Sequence, residues 1–153
     1  MGSPRIMLPE GGFSQYLYCD HDGWATIELG GIKAKVVRNI SDQDGLHTSL
    51  PMAAGTSEMY LRLDNFGNPV QARVYINRFS SLDFDWGHPH YNNPKKGGDG
   101  KVFPKGVVHI QEFTSESDGS GYRMSYNARY ASEAEINKYG EILKAFNPKI
   151  KFR

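Results

Sequence analysis

Cysteine is nearly missing from this sequence, with Cys19 the only one. A lone thiol excludes an intramolecular disulfide and any cysteine-based zinc cluster. Asp20 and Asp22 beside it disfavour the thiolate that a catalytic cysteine needs, leaving a structural thiol as the expectation. Long apolar runs are missing too: nothing approaches the roughly 18 residues of a membrane span, and no apolar segment follows the N-terminus as in a secretion signal. A soluble chain with no membrane partner is expected, cytoplasmic by default. Excess charge of one sign is also lacking. A net charge of +1 excludes both a strongly basic coat for nucleic acid and an acidic mimic of it. The glycine-rich run Gly97-Gly98-Asp99-Gly100 lacks the following helix and the Lys-Ser/Thr pair of a phosphate-cradling loop. Internal repeats and low-complexity tracts are absent. Met1-Gly2-Ser3 reads as a remnant of an expression tag.

What is present describes one α+β domain over residues 1–153. Trp24–Leu29 and Ile32–Arg38 flank Gly30-Gly31, a two-residue hairpin turn in which glycine supplies positive φ. Residues 39–57 read as a loop. Glu58–Asp64 and Val70–Ile76 alternate polar and apolar positions, the period of half-buried antiparallel strands with one polar face. Leu82–Trp86, Gly106–Phe113 and Tyr122–Asn127 read as further strands, with a serine/glycine turn at 115–121. Between them, residues 87–105 look too polar to pack and too long for a mere connector. Ser132 and Glu135 form a capping box, and Ile136, Tyr139, Leu143 and Phe146 recur at helical spacing until Asn147-Pro148. The expectation is a twisted, mainly antiparallel sheet of about seven strands, with one substantial C-terminal helix packed on one face.

Charge is unevenly spread. Residues 1–76 carry six Lys/Arg against eight Asp/Glu, and residues 77–153 twelve against nine. Lys95, Lys96, Lys101 and Lys105 fall in the same stretch as three of the five histidines, which favours an anionic partner there. Asp83-Phe84-Asp85-Trp86-Gly87-His88-Pro89-His90 sets two carboxylates and two imidazoles within eight residues. His109 follows on a later strand, on the side of Val107 and Gln111, and a hairpin around the long loop would return it to the cluster.

Three readings compete for this stretch. One histidine could act as general base and another as general acid on a phosphodiester, with Arg73 or a lysine stabilising the developing negative charge. The same imidazoles could hold a divalent transition ion at His88, His90 and His109 with an aspartate. Proline inside His-Pro-His works against a shared ion, so metal-free chemistry ranks ahead and no metal ligand is assigned. Alternatively, the histidines are loop residues satisfied by water or backbone, and Asp83 and Asp85 are a solvated strand face. Separations beyond about 12 Å would exclude both a shared ion and an acid–base pair. The catalytic candidates are His88, His109, Asp85 and Arg73; Lys95, Lys96, Lys101, Lys105 and His90 are candidates for substrate binding. His47-Thr48-Ser49 echoes the His-X-Thr/Ser element of two-histidine phosphodiesterases, but His109-Ile110-Gln111 lacks the matching hydroxyl. Tyr91, Tyr122, Tyr126, Tyr130 and Tyr139 could offer surfaces for base stacking.

Gly67-Asn68, Gln71, Arg73, Tyr75, Asp83, Asp85, Trp86, His88 and Val108-His109 form a pattern that resembles the C-terminal effector domains of bacterial polymorphic toxins, over about 43 of the 153 residues. The resemblance implies a nuclease-like toxin domain with Arg73, Asp85, His88 and His109 near its active site, a dedicated inhibitor protein as partner, and release as a secreted effector. Two readings of other classes stand beside it. One is a non-enzymatic phage or mobile-element protein that binds and inhibits a host protein, which would scatter the histidines and expose tyrosine and methionine, Met52, Met59 and Tyr60 among them. The other is a small-ligand binder with residues 87–105 as its lid.

Overall fold

In a computed structural model, the chain is described over residues 5–7, 13–19, 25–38, 50, 58–64, 68–77, 79–115 and 122–153. Trp24, His21, His47, Met52, most of the 39–57 loop and the 116–121 turn lie outside these residues. The fold is α+β. Nine strands form one sheet in the order β1 (Arg5–Met7), β2 (Phe13–Cys19), β3 (Ala25–Leu29), β4 (Ile32–Arg38), β5 (Met59–Leu63), β6 (Pro69–Ile76), β7 (Phe79–Asp85), β10 (His109–Ser115) and β11 (Tyr122–Met124). Only β4 and β5 run parallel; every other neighbouring pair in this sheet is antiparallel. β8 (His90–Tyr91) and β9 (Val102–Phe103) make a separate two-stranded ribbon. All seven stretches read as strands form strands, and β1, β2, β8 and β9 add to them among the described residues.

The expected turn and helix are in place. Gly30 and Gly31 have φ of 62° and 79°, so the β3–β4 turn needs positive φ at both positions. Helix α1 (Glu133–Phe146) starts at Ser132, whose side chain accepts from Glu135 N–H while the Glu135 carboxylate accepts from Ser132 N–H. Arg129 braces this end through Glu135, at 2.8 Å, and Glu112 on β10, at 2.7 Å. The buried face of α1 carries Tyr139, Ile142, Leu143 and Phe146. Tyr139 packs edge-on against Phe84 and Phe146 against Trp86, joining one apolar core with Ile27, Leu61, Val74 and Ile110. Truncating a fully buried member such as Leu143 costs about 2–5 kcal/mol.

Three local expectations need correction. The strands are not half-buried with a polar face in water: Arg62, Gln71, Arg73 and Asp83 on that face are buried as well. The 87–105 segment does pack, because Asn92 and Phe103 are fully buried and tie the ribbon down. β10 begins at His109 rather than Gly106, so His109 stands at the strand's start and not in its middle. The C-terminal tail takes the preceding backbone: Val107 pairs with Lys151, and Val108 N–H donates to Lys151 O at 2.8 Å.

Candidate functional site

Cross-strand register assembles the site on the sheet face opposite α1. Arg62, Gln71, Asp85 and His109 form one row across β5, β6, β7 and β10, and Tyr60, Arg73, Asp83 and Gln111 form the next. Directly opposed residues on neighbouring strands lie about 5 Å apart, so each row is a chain of side-chain contacts. Within the rows runs a buried hydrogen-bond chain. Arg62 Nε donates to Gln71 Oε1 at 2.7 Å, and Gln71 Nε2 donates to Asp83 Oδ2 at 2.7 Å. Arg73 grips Asp83 with two donors, Nε to Oδ1 at 2.7 Å and Nη2 to Oδ2 at 3.1 Å, gives Nη1 to Leu50 O, and lies over the Phe113 ring.

The chain turns sharply after Asp85, and Gly87 allows it. A side chain there would put its Cβ 2.6 Å from Val70 Cβ, and Gly87 N–H donates to Asp85 Oδ1 at 3.1 Å. That bond fixes the carboxylate with Oδ2 toward His88 Nε2, 3.3 Å away. The other nitrogen of His88 lies 2.8 Å from Pro89 O. An acceptor faces each nitrogen, and the hydrogen bond to Asp85 pushes the His88 pKa up to about 9.

His109, opposite Asp85 in the register, is wholly buried beneath two other imidazoles. Its ring centroid is 5.6 Å from that of His88 and 5.1 Å from that of His90, stacked in the second case. Phe103 closes the far side at 5.7 Å. Burial pushes the His109 pKa down to about 4. Neither His109 nitrogen has a hydrogen-bond partner among the described residues, and the same holds for His90 Nε2, which is also buried. Asp85, His88 and His109 each offer one ligand atom, all within 4.8 Å of one another.

The three histidines and Asp85 therefore converge, well inside the separation that would have excluded joint action. Arg73 lies in the adjacent row with its guanidinium fork occupied by Asp83. Lys95 and Lys96 sit on the 3-10 turn Pro94–Lys96, and Lys101 and Lys105 flank β9. All four lysines are exposed. Sequence reasoning missed Asn92, which donates Nδ2 to Ala128 O and Asp99 Oδ1 and accepts from Ala128 N–H at 2.8 Å. It anchors the ribbon that lays His90 and Phe103 over His109. Its one sequence signal was its place two residues after His90. Tyr126 was noted only as a stacking surface; its ring lies 6.1 Å from that of His90, and its hydroxyl accepts from Asn93 N–H.

No family model, no curated protein and no solved structure matches this chain.

Proposed function

We propose that this chain cleaves phosphodiester bonds in nucleic acid at the cluster of Asp85, His88 and His109. The observation that carries the proposal is the convergence itself: two imidazoles and a carboxylate from β7, the following turn and β10 bring their donor atoms within 4.8 Å. The side chain of His88 is 37% exposed and that of Asp85 14%, so substrate meets His88 first. Asp85 and Pro89 O hold the His88 ring between them, an oriented proton donor beside a polyanion. The four exposed lysines in and beside the ribbon supply the attraction that draws a phosphate backbone to this edge.

Burial changes how the labour is divided. A base must reach the proton it removes, and His109 lies under His88 and His90 with no exposed surface. His88 therefore meets the substrate, and His109 supports it from beneath without touching the reacting atoms. The resemblance to polymorphic-toxin effectors agrees with a nuclease and carries with it an inhibitor protein that keeps the producing cell safe. A non-enzymatic module that inhibits a host protein would have scattered histidines; their convergence favours cleavage over it.

The test is degradation of RNA and of DNA by the wild type, His88→Ala and Asp85→Asn, with and without EDTA. Wild-type cleavage of either polymer, reduced at least about 100-fold in His88→Ala, supports the proposal. Intact RNA and intact DNA with the wild-type protein, in both conditions, ends it.

A further inference from the structure

We infer that Asp85 Oδ2, His88 Nε2 and His109 form a binding site for a divalent first-row transition ion, of which zinc is the representative. The inference stands whether or not a nucleic acid is cleaved.

The donor set is the first ground. Two imidazoles and one carboxylate are ligands that suit zinc, iron or manganese, and three protein ligands leave a coordination position open for water or substrate. Zinc bonds of about 2.0–2.1 Å in tetrahedral array place neighbouring donor atoms about 3.3 Å apart. Asp85 Oδ2 and His88 Nε2 are already 3.3 Å apart. The most distant pair lies within 4.8 Å, so side-chain rotation of roughly 1.5 Å closes the set to bonding distance.

The second ground is independent of that spacing. A neutral imidazole has one donor and one acceptor nitrogen, and both are left without a partner in His109, which has no exposed surface. Buried polar atoms are almost always bonded. An ion on one nitrogen supplies the missing partner, and no side chain among the described residues does.

The third ground is how the outer groups hold the ligands. Metal-binding histidines almost always give their other ring N–H to a carbonyl or carboxylate, which fixes the tautomer and aims the free nitrogen. His88 has that arrangement at Nδ1, which lies against Pro89 O, and the proton that Nε2 shares with Asp85 leaves when the ion binds. Asp85 has its counterpart in Gly87 N–H on Oδ1, which leaves Oδ2 as a single-atom ligand. His90 stays outside the set; stacked on His109 with its own Nε2 buried and unpartnered, it lines the remaining side.

Isothermal titration of the EDTA-stripped protein with zinc alone tests this, with Co2+ absorption as a second readout. The expected result is one equivalent bound per chain, a visible Co2+ band of tetrahedral intensity, and a loss of at least about tenfold in zinc affinity in both His88→Ala and Asp85→Asn. Both residues are partly exposed, so these variants keep their fold, which circular dichroism verifies. Absence of stoichiometric binding in the wild type overturns the inference. So does binding that neither variant weakens, because the ion is then held elsewhere, for example at His21 or His47. Zinc binding without nuclease activity sinks the proposed function and leaves this inference standing. EDTA-resistant cleavage without zinc binding does the reverse.

Discussion

His109 should weaken the metal-free protein, and replacing it with leucine should strengthen it. The imidazole is fully buried, and its donor and its acceptor both lack partners among the described residues. Each buried polar group left unbonded costs about 1–3 kcal/mol, a cost that leucine does not carry. Leucine differs in shape from a planar ring, and imperfect fit against Phe103 and His90 takes back up to about 1.5 kcal/mol. With each nitrogen at the low end of that range, the net expectation is a gain of about 0.5–2 kcal/mol for His109→Leu, or about 1–8 °C in Tm for a chain of this size. Urea unfolding in EDTA near neutral pH measures it, with equal slopes for the two proteins as the sign that only stability has changed. In saturating zinc the order should invert. The wild type gains about 2.7 kcal/mol at a free ion concentration 100 times its Kd, and His109→Leu gains nothing comparable. A His109→Leu protein less stable than wild type by more than about 1 kcal/mol in EDTA would refute the reasoning. The imidazole nitrogens would then be satisfied in solution, and burial would not be what makes this residue costly.

Other substitutions separate support from chemistry. Gly87→Ala forces a Cβ to 2.6 Å from Val70 Cβ; it should cost about 1–3 kcal/mol in urea unfolding and weaken zinc binding, since the Gly87 N–H that aims Asp85 must move. Arg73→Gln leaves the buried Asp83 carboxylate without its guanidinium partner and should destabilise by about 3–5 kcal/mol. If Arg73 serves the site only by holding Asp83, its loss should leave the zinc Kd of the protein that remains folded unchanged, which titration at low temperature reads. Asn92→Ala removes the three hydrogen bonds that pin the ribbon to Ala128 and Asp99; amides 90–103 should lose hydrogen-exchange protection while those of α1 keep theirs. Glu135 has its pKa lowered, chiefly by its hydrogen bond from Arg129. A depressed carboxylate contributes stability above its unfolded value and loses it as pH falls through the folded one. Glu135→Gln should therefore be less stable than wild type at neutral pH, with the gap closing below the ordinary carboxylate range in unfolding curves taken across pH.

The features legible in the sequence are those whose causes are local. Ser132 and Glu135 lie three residues apart, and Gly30-Gly31 makes its turn without help from elsewhere, so both could be read from neighbouring letters. Convergence of the histidines was legible too, because an antiparallel return brings His109 opposite Asp85 once β7 and β10 pair. What escaped depends on groups far along the chain. Burial of Arg62, Gln71, Arg73 and Asp83 follows from their bonds to one another and to Leu50 O, 23 residues from Arg73, and no strand's alternation shows that cover. Residues 87–105 look like solvated loop because their charged residues outnumber their apolar ones. They fold because Asn92 bonds to Ala128, 36 residues away, and because Gly98 lets the loop close where a Cβ would stand 2.3 Å from the Asn92 carbonyl carbon. These long-range contacts bear directly on the site. Asn92 is what puts His90 and Phe103 over His109, and that cover turns an exposed imidazole into a buried one with nothing to bond to. A histidine at the start of an uncovered edge strand would be solvated, and its neighbours would carry no chemical inference. The ribbon is thus part of the site, and its anchoring residue Asn92 is the position where a distant substitution should disturb the histidines most.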